Sequence, residues 1–300
     1  MFLAALGAGC GKRRETVLLT FPESYGHHLS LAQGRYEGMA VRAVYLQSYA
    51  KMMEALLAGD GDVATAAYDA VLPLAAEGKD VVAFCSLALR PGMVLAARDE
   101  IASVEGLKGK TVGIPGPGSS SHFLLNAVLR KKGVSEFSTA AIGVAASAVA
   151  AVEQKKVDAA MLTNQGWSTL RGRGVPLRLL ADLRDAAVSR EYFGVEKLPS
   201  LCLVARREWL DANGDAARGM AKAFLGANRW MASHTAAEIR AALPDADEAA
   251  IEGMRPTLDV DGRIDVESAS AALAITAGSV ERLASVRLDL RRTFTDAYLR

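Results

Sequence analysis

Three consecutive serines, Ser119 to Ser121, follow a run rich in glycine and proline and precede a helical pattern. A serine just before a helix can accept a hydrogen bond from a free N–H of the first turn. One serine is enough for that cap, so the others stand at the positive end of the helix dipole. Exposed N–H groups together with hydroxyls can bind an anion or a polar group. The pattern indicates a ligand-binding helix N-terminus, with a simple capped turn as the alternative.

Sharper chemical motifs are missing from the sequence. A phosphate-binding loop needs Gly-Lys-Ser or Gly-Lys-Thr, whereas serine follows Gly118, and Ser121 stands where the dinucleotide fingerprint needs its third glycine. A zinc site would have to use His27, His28, His122 and Asp69, which the predicted fold described below brings to one cleft. Adjacent histidines rarely both ligate, and no Gly-x-Ser-x-Gly elbow accompanies the Ser-His pair. We therefore expect no metal, no cofactor and no catalytic residue.

The composition argues against nucleic acid as a partner. Over 300 residues, 35 basic and 34 acidic side chains give a net charge of +1, and no basic stripe is visible. Aromatic residues make up 6% of the chain, which is too few for a base-stacking platform. Beyond the first ten residues no apolar run is long enough to cross a bilayer. With 51% hydrophobic residues, the chain can bury the cores of two compact units.

The three cysteines have different surroundings. Cys85 and Cys202 lie in apolar, strand-like runs, which favours buried free thiols, although a disulfide between them stays open. Cys10 ends an apolar run and resembles the lipidation box of a bacterial lipoprotein, with Gly7 where a branched aliphatic residue is usual. We predict a signal or lipoprotein segment and linker over 1–13, with a cleaved or vestigial export signal as the alternative. The protein is then periplasmic or lies at the outer face of the cytoplasmic membrane, held only by a lipid anchor.

Hydrophobic periodicity predicts strands that alternate with short helices, a pattern typical of βαβ units and a mostly parallel sheet. Strands are predicted at 16–21, 41–46, 62–68 and 81–89 and, after the pattern restarts, at 110–114, 140–144 and 157–162. Helices are predicted at 28–35, 49–57, 119–132 and 145–155. Beyond about residue 206 the pattern is helical.

The restart of the pattern resembles an internal repeat. A shift of 95 residues superposes Thr16 on Thr111, Val17 on Val112, Ser24 on Ser119 and His27 on His122. A shift of 96 superposes Asp62 on Asp158 and Tyr68 on Asn164. Ligands of open α/β sheets bind beyond the carboxyl ends of the strands. If two lobes share one topology, one cleft is therefore lined by residues 25–28, 68–69, 118–122 and 163–167.

Long stretches of the chain resemble the nitrate/sulfonate/taurine-type substrate-binding proteins of ABC importers. The most specific is VEGLKGKTVGIPGPGSSSHFLLNAVLRKKGV, followed by AIGVAASAVAAVEQKKVDAAMLTN. ALLAGDGDVATAAYDAVLPLAAEGKDVVAF and the closing DLRRTFTDAYL also resemble that family. The resemblance covers nearly the whole chain after the signal segment. It implies a type II periplasmic binding protein fold, in which two α/β lobes are joined by two crossing strands and enclose a ligand cleft.

The resemblance also implies a division of the chain and a set of ligand contacts. Lobe I is expected at 14–97 plus 199–300 and lobe II at 98–198, with crossings near 93–98 and 198–204. The family's contacts cluster at helix N-termini that follow strands. Together with the aromatic residues near the cleft, they give the predicted ligand-binding residues Tyr25, His27, Tyr68, Ser119, Ser120, Ser121, His122, Asn164 and Trp167.

The function that the resemblance implies is capture without chemistry. A monomeric extracytoplasmic component binds a small organic or anionic molecule by lobe closure and delivers it to the permease and ATPase of its importer. No arginine lies in the predicted cleft stretches, so a sulfonate or nitrate would rely on dipoles and hydroxyls alone. A thiamine-precursor pyrimidine, an aromatic carboxylate or another small organic acid stays open. The alternatives are an enzyme on the same two-lobed scaffold, acting on a small aromatic metabolite, and a sensor that feeds a membrane receptor.

Overall fold

Two five-stranded sheets form the framework of residues 15–22, 24–46 and 49–300, the part of the chain that the computed structural model describes. In strand order, the first sheet contains β2 (Val41–Tyr45), β1 (Thr16–Thr20), β3 (Val63–Ala66), β10 (Leu201–Arg206) and β4 (Val81–Ala88). The second contains β7 (Ser138–Ala141), β6 (Thr111–Ile114), β8 (Ala159–Thr163), β5 (Met93–Arg98) and β9 (Leu177–Asp182). The predicted lipidation site, Cys10, lies outside the described residues.

Helices connect and cover the strands. Before β10 they are α1 (Tyr25–Ala32), α2 (Tyr49–Ala58), α3 (Val71–Ala76), α4 (Ser120–Lys131), α5 (Ala146–Glu153), α6 (Asn164–Gly172) and α7 (Ala186–Phe193). The later helices are α8 (Arg207–Ala212), α9 (Gly214–Ser233), α10 (Ala236–Ala242), α11 (Glu248–Met254), α12 (Val266–Ala277) and α13 (Glu281–Ser285). Short 3₁₀ turns occur at Tyr68–Ala70, Glu105–Leu107, Arg255–Thr257 and Leu290–Arg292. None of the described helices is both long enough and apolar enough to cross a membrane.

The two sheets have the same topology. In each, three parallel strands are followed by an antiparallel strand that arrives from the other half of the chain, β10 in the first sheet and β5 in the second. The chain crosses between the sheets at 89–92 and 183–200. Residues 93–97 were expected in lobe I, but β5 pairs along its whole length with β8 and β9 of the second sheet.

The repeat has a structural counterpart in the hydrogen bonds at two strand starts. Asp62 Oδ2 accepts a hydrogen bond from the N–H of Val17 at 2.8 Å, and Asp158 Oδ2 accepts one from the N–H of Thr111 at 2.9 Å. Asp62, next to β3, therefore anchors β1 to β3, and Asp158, next to β8, anchors β6 to β8. This pairing relates the strands by 94 residues, one fewer than the shift that the sequence suggested, whereas α1 and α4 begin 95 residues apart.

Other boundaries also differ from the predictions. Helix α1 begins at Tyr25 rather than at residue 28, and β3 ends at Ala66, so Tyr68 opens a 3₁₀ turn instead of ending a strand. Strand β9 was not predicted. Both internal cysteines, Cys85 and Cys202, are buried free thiols on the neighbouring strands β4 and β10, which confirms the favoured interpretation.

The long helix α9 contributes to the core behind the first sheet. Its apolar face, which includes Met220, Phe224 and Met231, is buried, and the helix packs against α1 and β4. A bridge between Ala83 and Phe294 attaches the end of the chain to the same sheet. The segment after β10 therefore belongs to the body that contains β1 to β4.

The paired aspartates give a test of the repeat. Replacing Asp62 or Asp158 by alanine removes a charge-assisted hydrogen bond, so each variant should lose about 2 kcal/mol of the free energy of unfolding. Asp62 should cost more, because it is buried whereas Asp158 is partly exposed. Urea unfolding measures the effect, and Asp215→Ala, which changes an exposed carboxylate, is the control. If Asp62→Ala unfolds at the same urea concentration as the control, the anchoring role is wrong.

Candidate functional site

Four chain segments meet at the carboxyl ends of neighbouring parallel strands. In the first sheet, α1 follows β1 and the turn at Tyr68–Ala70 follows β3, which pairs with β1. In the second sheet, α4 follows β6 and α6 follows β8, which pairs with β6. Each pair of segments shares one sheet edge because parallel strands end on the same side.

A hydrogen bond joins the two edges. Ser120 Oγ, at the start of α4, donates to Asp69 Oδ1 of the first lobe at 2.9 Å. Flanking contacts also link the lobes: Ser168 of α6 donates to Asp247 at the start of α11, and α4 packs against α12. The two predicted edges therefore face each other and are in direct contact.

The three serines have three different surroundings. Ser119 caps α4: its hydroxyl accepts from the N–H of His122 at 3.3 Å and donates to the carbonyl of Gly116 at 2.8 Å. Ser120 crosses to the other lobe, and Ser121 is buried, with 7% of its surface exposed. The Nδ1 atom of His122 accepts from the N–H of Gly118, whose φ of +75° suits glycine. The first turn of α4 is thus tightly held at the cleft.

Asp69 is the charged group of the cleft that was not among the predicted ligand contacts. Burial raises the pKa of its carboxyl to about 6, while hydrogen bonds from Ser120 and from the N–H of Ala70 oppose that rise. Its charge acts on the neighbouring Tyr49, whose pKa burial raises well above its usual value. Near pH 7 the cleft therefore contains a mostly ionised, poorly hydrated carboxylate beside a neutral phenol.

The start of α6 supplies the second polar group of the lobe II edge. Thr163 caps the helix by accepting from the N–H of Gly166 at 3.2 Å. The N–H of Asn164 donates to the carbonyl of Gly92 in the first crossing segment. Asn164 is therefore held against the point where the lobes join.

Arg184, which lies outside the predicted cleft stretches, is beside Asn164. Arg184 Nη1 is 3.3 Å from Asn164 Oδ1, and its guanidinium makes a two-pronged ion pair with Asp182, with both N–O distances at 2.6 Å. Arg184 follows β9, and because β9 was not predicted, no sequence signal placed this residue at the edge. Its charge is already balanced by Asp182.

Two predicted contact residues are revised by their burial. His27 is 2% exposed and its Nδ1 is hydrogen-bonded to the hydroxyl of Tyr36 at 2.9 Å. Tyr68 is fully buried, and its hydroxyl is hydrogen-bonded to that of Thr293 at 2.6 Å. Tyr68, the first residue of its 3₁₀ turn, points into the lobe I core, and His27, the third residue of α1, points toward Tyr36. In this conformation neither side chain offers surface to a ligand.

Two further predicted contacts, Tyr25 and Trp167, are partly exposed. Tyr25 packs with the cluster formed by α1, α9 and α10. Trp167 packs on the core of the second lobe, and the guanidinium of Arg171 lies 5.5 Å from its ring centroid. Among the described residues, no group of three or more histidine, cysteine or acidic side chains is arranged to hold a metal ion.

Residues 35–237 match a family model described as NMT1/THI5 like. The chain belongs to the NMT1/THI5-like family. No curated protein matches this chain significantly in sequence. Its fold is the periplasmic binding protein fold, as expected from the sequence, because solved structures align over nearly its full length.

Three of these structures show the range of similarity to this NMT1/THI5-like protein. A protein from Bordetella bronchiseptica RB50 has a TM-score of 0.83 and 25% identity, with 95% of each chain covered. The periplasmic aliphatic sulphonate binding protein SsuA from Escherichia coli has a TM-score of 0.73 and 23% identity, covering 96% of this chain and 99% of SsuA. The periplasmic nitrate-binding protein NrtA from Synechocystis PCC 6803 has a TM-score of 0.67 and 14% identity, covering 96% and 87%.

His27 and Asp69, whose pKa values are shifted in opposite directions, should act oppositely on stability between about pH 4 and pH 6.5. Burial, with a smaller effect of the His28 charge, lowers the pKa of His27 from 6.5 to about 4. The unfolded chain therefore protonates His27 first as the pH falls, and the folded state loses stability. Asp69 has a raised pKa, so the folded state takes up that proton first and gains stability as the pH falls from 6.

Single substitutions should separate the two effects. Between pH 7.5 and pH 4.5, the free energy of unfolding of Asp69→Asn should fall by about 2 kcal/mol more than that of the wild type. Over the same range, the free energy of unfolding of His27→Asn should fall by less than that of the wild type. Urea unfolding at both pH values measures this. Tyr36→Phe is the control, because it removes a hydrogen bond while His27 stays buried. Equal pH dependence in all four proteins contradicts the assigned pKa directions.

Proposed function

We propose that this protein is the solute-binding component of an ABC importer and that it captures a small molecule without transforming it. The observation that carries the proposal is the contact of Ser120 with Asp69, which brings two ligand-binding sheet edges face to face. Full-length similarity supports it: one aligned structure is the ligand binding component of an ABC-type import system from Staphylococcus aureus, and SsuA and NrtA bind sulphonate and nitrate.

The crossing segments supply the hinge in this proposal. Arg90, in the first segment, donates from Nε to the carbonyl of Arg184 at 2.7 Å and from Nη1 to that of Glu196 at 3.3 Å, both in the second segment. The hydroxyl of Ser200 donates to the carbonyl of Arg90 at 2.8 Å. Because both segments are tied together, the lobes rotate about one region. Opening then breaks the contacts of α4 with α12 and of α6 with α11.

The ligand contacts follow from what borders the closed cleft. The N–H groups at the starts of α4 and α6 and the side chains of Ser120, His122 and Asn164 hold polar atoms of the ligand. Tyr25 and Trp167 bound the cleft at its two sides. The closed, loaded form docks on a membrane permease, and the ATPase of the same importer drives release and uptake.

A thermal-shift screen tests capture. Alkanesulfonates, nitrate, bicarbonate, pyrimidines and small aromatic acids form the panel, and a saturable rise in Tm identifies a ligand because binding to the folded state alone raises stability. Mass spectrometry of the incubated compound should recover it unchanged. Conversion to a product would establish the enzyme alternative instead, and no shift with any class would argue against capture of these solutes.

Two serines give a matched test of where the ligand binds. Ser120 and Ser168 both donate to an aspartate of the opposite lobe, at 2.9 and 3.0 Å, but only Ser120 lies at the start of α4. Ser120→Ala should weaken binding of the compound found in the screen about tenfold, and Ser168→Ala less than threefold. Calorimetric titration measures both. Equal losses would assign the effect to lobe closure rather than to ligand contact.

We also propose that Cys10 carries a lipid that holds the protein at the outer face of the cytoplasmic membrane. The proposal rests on the apolar run that ends in Cys10, in a part of the chain outside the described residues. Cys10→Ser should move the protein from the membrane fraction to the soluble fraction and abolish labelling by a fatty-acid analogue. Gly11→Ala, which keeps the thiol, should do neither. A wild-type protein found only in the soluble fraction contradicts the anchor.

A further inference from the structure

We propose that Asp69 sets the specificity of the cleft by favouring ligands that carry a cationic amine or amidine group and by disfavouring simple anions. The inference rests on the proposed function and names the ligand class of the same cleft. It makes Asp69 a specificity-determining residue, and it starts from the position of the carboxylate.

The Asp69 carboxylate occupies the place where an anion would otherwise bind. Ser120, whose hydroxyl donates to it, is the first residue of the twelve-residue helix α4, so the carboxylate lies at the positive end of that helix dipole. An anionic ligand at this helix start must compete with Asp69 for the same donors. If it binds alongside, two negative charges share a partly desolvated site, which is unfavourable.

The charge of Asp69 has no cationic partner among the described residues. The groups that act on it are two hydrogen-bond donors, the Ser120 hydroxyl and the N–H of Ala70. Its own charge acts on two acids whose pKa values are raised by burial, Tyr49 and Cys202. Arg184, the cation found at the lobe II edge, is already paired with Asp182. A cation brought by the ligand therefore supplies the charge partner that the protein does not.

Aromatic surface lies next to the same carboxylate. Phe21, just after β1, and Tyr49, the first residue of α2, form an edge-to-face pair with ring centroids 4.8 Å apart, and both are partly exposed. Tyr49 is also the phenol on which the Asp69 charge acts. An aromatic face beside a carboxylate suits an organic cation, because the ring and the charge both attract it. The site thus fits a small amine, amidine or zwitterion better than nitrate or an alkanesulfonate.

Matched probes that differ in one charged group test the proposal on the whole protein. The pairs are 2-aminoethanesulfonate with ethanesulfonate, and benzamidine with benzoate, each titrated by calorimetry at pH 7.5. The wild type should bind the nitrogen-bearing member of each pair at least tenfold more tightly. In Asp69→Asn that ratio should fall to within threefold, because the amine or amidine member loses affinity and the anionic member gains it.

Asp247→Asn is the control, because Asp247 also accepts a hydrogen bond from a serine of the opposite lobe but lies at the start of α11. It should keep the wild-type ratio, and the Tm of every variant checks that it folds. A ratio unchanged in Asp69→Asn, or a wild type that binds the anionic members more tightly, overturns the specificity proposal and leaves capture standing. Failure of the wild type to bind either nitrogen-bearing probe also overturns it. Capture itself fails only if the wider screen finds no ligand.

Discussion

Each sheet of this protein is completed by a strand that arrives from the other lobe, and the rest of the structure depends on that exchange. Strand β10 lies between β3 and β4, and β5 lies between β8 and β9, so both crossings are forced to run side by side. Arg90 fastens them to each other through backbone carbonyls. With the crossings fixed, the carboxyl ends of the parallel strands can only face one another, and the hydrogen bond from Ser120 to Asp69 is the local consequence.

The cleft that results is built from helix starts, and its electrostatics follow from that choice. Free N–H groups at the first turns of α4 and α6 give both lobe II segments a positive potential. In the closed form these donors need partners, since a buried, unpaired polar group is costly. Thr163 and Ser119 cap two of these N–H groups, whereas Asp69 of the opposite lobe accepts from the side-chain hydroxyl of Ser120.

Membership of the NMT1/THI5-like family and similarity to SsuA and NrtA establish the architecture, which does not by itself determine a function. The same two-lobed frame supports different ligands because the residues that touch a ligand lie in turns after strands, where substitution does not disturb the core. In this chain those turns carry Asp69, a carboxylate without a cationic partner among the described residues, and Arg184, which is already neutralised by Asp182. These charged side chains distinguish this cleft from one whose electrostatics come only from helix dipoles.

The sequence by itself determined the alternation of strands and helices, the repeat of the two lobes, and the capped helix start at Ser119, because periodicity and cap chemistry are local. It also indicated which strand ends would line the cleft. Only the tertiary structure decided that Tyr68 turns into the core while Asp69 accepts a hydrogen bond from Ser120 of the other lobe, and that Arg184 reaches Asn164. Those outcomes depend on where a strand stops and on which strand lies beside it. A shift of one residue reverses the direction of every side chain, and no local pattern encodes the neighbour across the cleft.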